Sequence, residues 1–312
     1  MSIEQQSLAF VFPGQGSQSV GMMQGWGERA EVRFTFSEAS DALGEDLWAL
    51  VTEGPADLLN QTINTQPAML AADVAVWRVW QAVGGVQPAL LAGHSLGEYA
   101  ALVAAGSLEF SDAIKLVRFR AEAMQAAVPE GVGAMAAILG LDVEIVRAVC
   151  ADAAEGEVVE AVNFNSPGQV VIAGNKAAVE RAMALAKERG AKRVLPLPVS
   201  VPSHSSLMLP AAEKLRVHLQ GVTIKQASIP VLHNTDVLSH TEPDAIRAAL
   251  AKQLHTPVRW VETVQALKTA GMGYVIECGP GKVLTGLGKR IDDSMRTFAL
   301  VDEASLQTAL EQ

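Results

Sequence analysis

The chain has few cysteines: only Cys150 and Cys278 occur among its 312 residues, far apart in the sequence. Such scarcity excludes a disulfide-rich scaffold, and the spacing does not match that of a cysteine metal site. We therefore expect two reduced structural thiols and no bound metal, as is typical of a cytoplasmic protein.

Long apolar runs and an excess of basic residues are also missing. No uninterrupted apolar stretch is long enough to span a membrane, and the first residues lack the basic and apolar regions of a signal peptide. The 24 lysines and arginines are outnumbered by 34 aspartates and glutamates, and the net charge of −10 argues against broad nucleic-acid binding. The sequence thus predicts a cytoplasmic protein without membrane or nucleic-acid partners.

What the chain does have is a strongly apolar composition, 49% hydrophobic and 19% charged, which indicates a globular α/β protein. Strands alternate with helices along residues 1–129 and 201–312, which predicts one large domain with a central, mostly parallel sheet. Residues 130–200 instead follow the order β-α-β-β-α-β, with a hairpin turn at 165–168. We expect this segment to be a small ferredoxin-like domain inserted into the large one.

The apolar patterns also predict individual elements. Strands are expected at 8–12, 88–92, 134–141, 158–163, 169–173, 192–197, 230–234, 274–277 and 297–301. Helices are expected at 64–83, 111–128, 143–154, 177–189, 206–220, 244–254, 258–270 and 282–291, with Ser111 as the N-cap of the second.

A nucleophile elbow is the clearest chemical motif. The sequence Gly93-His94-Ser95-Leu96-Gly97 follows a predicted strand and precedes an apolar helical segment. In this setting G-x-S-x-G places a serine at the head of a helix, where backbone N–H groups can stabilise an oxyanion. Ser95 is therefore predicted to be a catalytic nucleophile, the alternative being a chance match of common residue types.

A serine hydroxyl needs a base, and histidine is the natural candidate. His204 has the strongest context, because it lies in a loop between a predicted strand and a helix, where α/β folds place functional residues. The sequence alone leaves His233 and His255 open as alternatives. His94 is expected to shape the pocket, because its side chain points away from that of Ser95.

Two further glycine-rich turns do not match nucleotide-binding motifs. The turn at 12–18 follows a strand, but Ser19 stands where a dinucleotide fingerprint requires glycine, and the segment 279–282 lacks the spacing of a phosphate loop. A bent turn at Gln15 could instead supply a second oxyanion N–H group, beside that of Leu96.

Arg120 is unusual because it falls on an apolar helix face, at helical spacing from Ala113, Leu116 and Ala123. A guanidinium there needs an anionic partner or several acceptors. A structural salt bridge or a snorkelling side chain would satisfy it. The functional alternative is a fork for a substrate carboxylate, since guanidinium pairs with carboxylate through two hydrogen bonds.

Five segments together resemble the bacterial malonyl-CoA:acyl carrier protein transacylase family, in the family's order and across nearly the whole chain. They are FVFPGQGSQ at 10–18, GHSLGEY at 93–99, NFNSPGQ at 163–169, VPSH at 201–204 and GPGKVL at 279–284. The resemblance implies a hydrolase-like α/β domain with an inserted ferredoxin-like domain. It also implies a ping-pong transfer of malonyl from malonyl-CoA to the phosphopantetheine thiol of acyl carrier protein in fatty acid synthesis.

The resemblance also assigns roles to residues of this chain. Ser95 would be acylated, with His204 as its base and the backbone carbonyl of Gln253 orienting that base. The remaining roles would be an oxyanion hole of Gln15 and Leu96, a carboxylate clamp at Arg120, and a site lining of His94 and Asn165.

The same resemblance implies partners: a CoA thioester as substrate, acyl carrier protein as acceptor, no permanently bound cofactor, and a monomeric enzyme. Acyl carrier protein is acidic, so an acidic chain would need a local basic patch to bind it. Candidates are Lys192, Arg193, Lys282, Lys289 and Arg290, although ordinary solvated surface charges would look the same. A serine esterase or thioesterase, and a noncatalytic carrier-protein-binding module, are the alternative functions.

Overall fold

Helices and strands alternate along most of the computed structural model, which describes residues 7–129, 131–199 and 201–312. The strands are β1 (Leu8–Phe12), β2 (Leu90–Gly93), β3 (Gly133–Leu139), β4 (Val159–Ser166), β5 (Gln169–Asn175), β6 (Arg193–Pro196), β7 (Val231–Leu232), β8 (Tyr274–Cys278) and β9 (Arg296–Leu300). The helices are α1 (Ala30–Leu43), α2 (Leu47–Glu53), α3 (Ala56–Leu59), α4 (Thr62–Ala82), α5 (Gly97–Ala104), α6 (Phe110–Ala127), α7 (Val143–Ala153), α8 (Lys176–Glu188), α9 (Leu209–His218), α10 (Pro243–Gln253), α11 (Trp260–Thr269), α12 (Val283–Ile291) and α13 (Glu303–Leu310).

A parallel sheet in the order β7-β2-β1-β8-β9 forms the centre of the molecule. Every residue of β1 is buried, as is typical of a parallel strand covered by helices on both faces. Phe10 packs against Trp77 of α4, with ring centroids 5.3 Å apart, while Val11 belongs to a core on the other face with Trp260 and Leu284. The prediction of an α/β fold with a central parallel sheet is therefore confirmed.

A separate antiparallel sheet, in the order β4-β5-β3-β6, occupies residues 133–196. Helices α7 and α8 cover one of its faces and form an apolar core that includes Val146, Val149 and Ala182. Along the chain its elements run β3-α7-β4-β5-α8-β6, which is the predicted order.

Strand β4 also connects this second sheet to the segment just before α11. Val258, just before α11, donates its N–H to the carbonyl of Val162 at 2.8 Å and accepts the N–H of Phe164 at 3.0 Å. Nearer the start of β4, the carboxylate of Glu160 accepts both the N–H and the hydroxyl of Ser206. These contacts hold β4 beside the loop that carries His204.

Several elements differ from expectation. Helix α6 begins at Phe110 with no side-chain cap, so the prediction of Ser111 as N-cap is wrong. The expected strand at 230–234 ends at Leu232, because Asn234 turns its side chain and backbone towards the elbow. The sequence patterns also missed α1 to α3 and α13, of which α2, α3 and α13 are short, with seven, four and eight residues.

Glycine at 97 permits the close approach of the elbow to β1. A Cβ atom on Gly97 would lie 2.0 Å from the carbonyl oxygen of Phe12, a distance that backbone atoms cannot relieve without moving. The start of α5 is therefore pressed directly onto the end of the central strand.

Replacing Gly97 with alanine is expected to lower the free energy of unfolding by about 3 kcal/mol, because the added methyl overlaps β1. Urea unfolding measures this loss. Gly286→Ala in α12 is the control: a Cβ there meets nothing within 4 Å, so that variant should gain up to about 1 kcal/mol. Equal unfolding midpoints for the two variants would contradict the close contact.

Candidate active site

The elbow holds Ser95 between β2 and α5 in a backbone conformation that side chains rarely adopt, with φ at +53°. The side chain of Asn234 stabilises this conformation by hydrogen bonds to two backbone groups of the elbow. Its Oδ1 accepts the N–H of Ser95 at 2.7 Å, and its Nδ2 donates to the carbonyl of Gly93 at 2.6 Å. The strained turn is thus tied to the loop after β7, and the hydroxyl of Ser95 faces a cavity.

His204 is the histidine that contacts Ser95 in the described part of the chain. Its Nε2 lies 2.7 Å from the Ser95 Oγ, and its Nδ1 lies 2.8 Å from the backbone carbonyl of Gln253. The other histidines left open by the sequence lie elsewhere: His233 binds Glu98, and His255 borders an outer groove between α9 and α10. The geometry therefore pairs the nucleophile with His204.

The protonation of His204 follows from its surroundings. A carbonyl can only accept, so Nδ1 carries the proton and Nε2 is free to accept the Ser95 hydroxyl hydrogen. Burial, reinforced by the nearby positive charge of Arg120, lowers the pKa of His204 to about 3. The imidazole is therefore neutral at neutral pH and available as a proton acceptor.

A cavity of about 200 Å³ opens above Ser95 at the carboxyl ends of β1 and β2. Gln15 and Leu96, the two expected sources of oxyanion N–H groups, both border it, as do Arg120 and His204. Met135 of β3 also lines the cavity, so the antiparallel sheet contributes to its wall together with the loops after β1 and β2. A thioester carbonyl placed here would meet nucleophile, base and backbone donors together.

Arg120 is only 2% exposed, and its guanidinium faces Ser95. Its Nη1 donates to Gln66 Oε1 at 2.7 Å, and its Nη2 donates to Gln253 Oε1 at 3.0 Å and to Ser95 Oγ at 3.3 Å. It forms no ion pair with any carboxylate in the residues that the structure describes, and its Nε lacks a hydrogen-bond partner. A buried cation with only neutral partners can bind an anionic group of a ligand.

His94 and Asn165 do not occupy equivalent places. His94 borders the cavity, and its Nε2 lies 2.8 Å from Asn165 Oδ1. Asn165, on β4, is not among the residues that border the cavity and contacts the site through His94. His94 therefore contacts the cavity directly and Asn165 contacts it through His94.

Sequence reasoning missed several residues of the site. Gln66 holds Arg120, Asn234 holds the elbow, and Asn163 borders the cavity with its Oδ1 lacking a partner. Gln66 could have been found, since it is a polar residue within the apolar helix α4, as Arg120 is within α6. Asn234 carried no comparable signal.

The five candidate residues of the basic patch are all exposed. Arg290, near the end of α12, donates to Gln169 Oε1 at 2.8 Å, and the stem of Lys192 packs beside Gly140, whose N–H binds the carbonyl of Gly168. Lys192 and Arg290 therefore flank the turn between β4 and β5. Across the described ranges these five cations form no ion pair.

No helix among the described residues is long and apolar enough to cross a membrane. Among the same residues, no group of three or more histidine, cysteine, aspartate or glutamate side chains could hold a metal ion.

The family model for the acyl transferase domain matches residues 9–305. A malonyl CoA-acyl carrier protein transacylase of Salmonella typhimurium is 57% identical over 98% of this chain and 99% of its own length. The chain belongs to the malonyl CoA-acyl carrier protein transacylase family. The Bacillus subtilis transacylase is 46% identical over 97% of this chain and 96% of its own.

Solved structures agree with this membership in the transacylase family. An acyl carrier protein S-malonyltransferase from Vibrio cholerae superposes with a TM-score of 0.94 at 59% identity, over 97% of this chain and 99% of that one. A malonyl-transacylase solved in complex with a type II PKS acyl-carrier protein gives a TM-score of 0.96 at 56% identity, with the same coverage.

The lowered pKa of His204 predicts an unusual pH profile for acylation of this transacylase family member. Protonation of Nε2 blocks proton transfer from Ser95, and it occurs only as the pH falls towards the folded-state pKa, about 3. Single-turnover release of CoA from malonyl-CoA should therefore stay on its plateau as the pH falls through 6.5, the unperturbed value. A midpoint at or above 6.5, in protein shown by circular dichroism to be folded, would contradict this assignment.

Proposed function

We propose that the chain transfers the malonyl group from malonyl-CoA to the phosphopantetheine thiol of acyl carrier protein, supplying fatty acid synthesis. The observation that carries this proposal is the buried guanidinium of Arg120, held by neutral groups 3.3 Å from the Ser95 hydroxyl. A malonyl group has a carboxylate at the end opposite its thioester. One small site can therefore bind the carboxylate and present the carbonyl to Ser95.

In the first half of the reaction, the distal carboxylate of malonyl-CoA binds Arg120. Ser95 Oγ attacks the thioester carbonyl while His204 Nε2 accepts the hydroxyl proton, and the N–H groups of Leu96 and Gln15 stabilise the oxyanion. The carbon–sulfur bond then breaks, and CoA leaves with the proton that His204 returns to its sulfur. The product is malonyl-Ser95.

In the second half, the carrier-protein thiol replaces CoA in the site. His204 accepts the thiol proton as the sulfur attacks the malonyl-Ser95 ester, and it returns that proton to Ser95 Oγ when the carbon–oxygen bond breaks. The same base thus serves both halves of a ping-pong cycle. The backbone carbonyl of Gln253 keeps the imidazole oriented throughout, without adding a negative charge beside it.

We further propose that residues 130–200 are an inserted ferredoxin-like domain and that residues 1–129 and 201–312 form the catalytic domain. The strand order of the segment, second-third-first-fourth in its own numbering, supports this division. The two buried free thiols are consistent with a cytoplasmic enzyme. A monomer would suffice, since one chain supplies every group in the mechanism.

Acyl carrier protein, which is acidic, would dock on the basic patch of Lys192, Arg193, Lys282, Lys289 and Arg290. Unpaired cations on both sides of the β4–β5 turn support this placement, since the chain as a whole carries a net charge of −10. Complementary charge mainly accelerates association and fixes orientation.

Mixing the protein with malonyl-CoA is expected to give a malonyl adduct on Ser95, because the site activates this hydroxyl and contains the carboxylate clamp. Intact-mass measurement detects the adduct, and Ser95→Ala is the control that should show none. Rapid loss of the adduct to water would indicate an esterase or thioesterase, and a chain that never acquires one would be a noncatalytic binding module.

Arg120→Ala should reduce kcat/KM for malonyl-CoA by about 100-fold and that for acetyl-CoA by less than about threefold. Acetyl-CoA has no distal carboxylate, so it cannot use the guanidinium. Steady-state transfer to acyl carrier protein gives both values. Equal losses with the two substrates would mean that Arg120 has a structural function only.

Reversing two charges of the basic patch, in Lys289→Glu with Arg290→Glu, should raise the KM for acyl carrier protein by about tenfold at low salt. Acylation by malonyl-CoA should not change. Lys115→Glu, at an exposed position of α6, is the matched control. An unchanged KM in the double variant would remove α12 from the docking surface.

A further inference from the structure

The side chain of Gln253 makes contacts that the role of its backbone carbonyl does not explain. We propose that its amide is a specificity determinant: a neutral acceptor that positions Arg120 while leaving the positive charge free for the carboxylate of the substrate. This inference rests on the proposed malonyl transfer and adds a second function to Gln253, separate from the orientation of His204.

The surroundings of the amide permit only one orientation. Gln253 is fully buried, with its Oε1 3.0 Å from Arg120 Nη2 and its Nε2 2.9 Å from the carbonyl oxygen of Ser95. Nε2 also lies 2.9 Å from Glu98 Oε2. Because a guanidinium only donates and carbonyl and carboxylate oxygens accept, the amide oxygen must face Arg120.

The guanidinium of Arg120 is held on its other nitrogen by a second amide. Gln66, also buried, places its Oε1 2.7 Å from Nη1. Both partners orient the guanidinium and neither carries a charge. A carboxylate at either position would pair with the buried cation more strongly, but it would also neutralise the charge that attracts the substrate carboxylate.

Glu98 is the buried carboxylate on the far side of the Gln253 amide, and its own hydrogen bonds keep it there. Its Oε1 lies 2.7 Å from His233 Nδ1, and its Oε2 accepts the N–H of Asn234 at 2.9 Å as well as Gln253 Nε2. Gln253 therefore lies between a fixed buried anion and the guanidinium of Arg120, with one end of its amide on each. The amide links the two electrostatically without allowing the ion pair.

Two substitutions at position 253 separate the side chain from the backbone carbonyl that orients His204. Gln253→Met removes the acceptor for Arg120 at similar length, and Gln253→Glu replaces the neutral acceptor with one that can ionise. Both leave the peptide carbonyl in place. Lys252→Met, at the neighbouring exposed position of α10, is the matched control and should behave as the unmodified protein.

The measured quantity is the preference for malonyl-CoA, given by its kcat/KM divided by that for acetyl-CoA. We expect Gln253→Met to reduce this ratio by about tenfold, since Arg120 loses one of its two amide partners. Glu98 Oε2 lies 2.9 Å from the atom that Gln253→Glu replaces, so it favours the protonated form of the new carboxyl. The ratio for this variant should therefore fall further, by about 100-fold, only as the pH is raised and this carboxyl ionises and competes with that of malonyl for the guanidinium. A purely structural role would lower both kcat/KM values in parallel and leave the ratio unchanged, which would overturn the proposal.

A double variant tests whether Gln253 acts through Arg120. In an Arg120→Ala background, Gln253→Met should leave the malonyl-to-acetyl ratio unchanged, because the group that it positions is absent. A further fall in the ratio by the same factor as in the unmodified protein would contradict the proposal. If Gln253→Met does not fold, as thermal unfolding would show, Gln253→Glu is closer in shape to glutamine and carries the test.

The unmodified protein separates this inference from the proposed function. If it forms no malonyl-Ser95 adduct, the proposed function itself is overturned, whatever the Gln253 variants do. If it forms the adduct and transfers malonyl, but the ratio is the same in both Gln253 variants, only the role of the Gln253 side chain is overturned.

Discussion

A positive charge buried without a direct ion pair is the constraint around which this site is built. Removing a guanidinium from water costs several kcal/mol unless acceptors surround it, and Arg120 has the oxygens of Gln66, Gln253 and Ser95 and the ring face of Tyr99. Burial of the apolar core in the rest of the fold must offset this desolvation cost. The cost has a chemical use, since a cation already stripped of water and held in place binds a carboxylate strongly.

The surrounding structure serves to keep this arrangement rigid. Glycine at 97 lets the elbow press onto β1, and Asn234 fixes the strained backbone of Ser95 from the loop after β7. From the second sheet, β4 holds His94 through Asn165 and caps the turn after His204 through Glu160. Both sheets therefore contribute to the position of the nucleophile and its base, although the motif itself occupies five residues.

Sequence reasoning succeeded where the signal is local and failed where it depends on distant contacts. The elbow at Ser95 and the charge of Arg120 on an apolar helix face are visible in short windows, as is the alternation of strands and helices. The choice among His204, His233 and His255 was open on the residues alone, because Ser95 and its base are 109 positions apart and only the fold brings them to 2.7 Å. The side-chain contacts of Gln66, Glu98 and Asn234 were missed for the same reason, since buried polar side chains reveal their partners only in three dimensions.

The central claim is that the charge of Arg120, which no carboxylate of the described residues contacts directly, recognises the distal carboxylate of the substrate. The most direct measurement changes the substrate and leaves the protein untouched: the rate of Ser95 acylation by malonyl-CoA is compared with that by the CoA thioester of monomethyl malonate. The ester has nearly the same shape but no charge, so the account predicts acylation slower by about 100-fold. Equal rates for the two thioesters would contradict it.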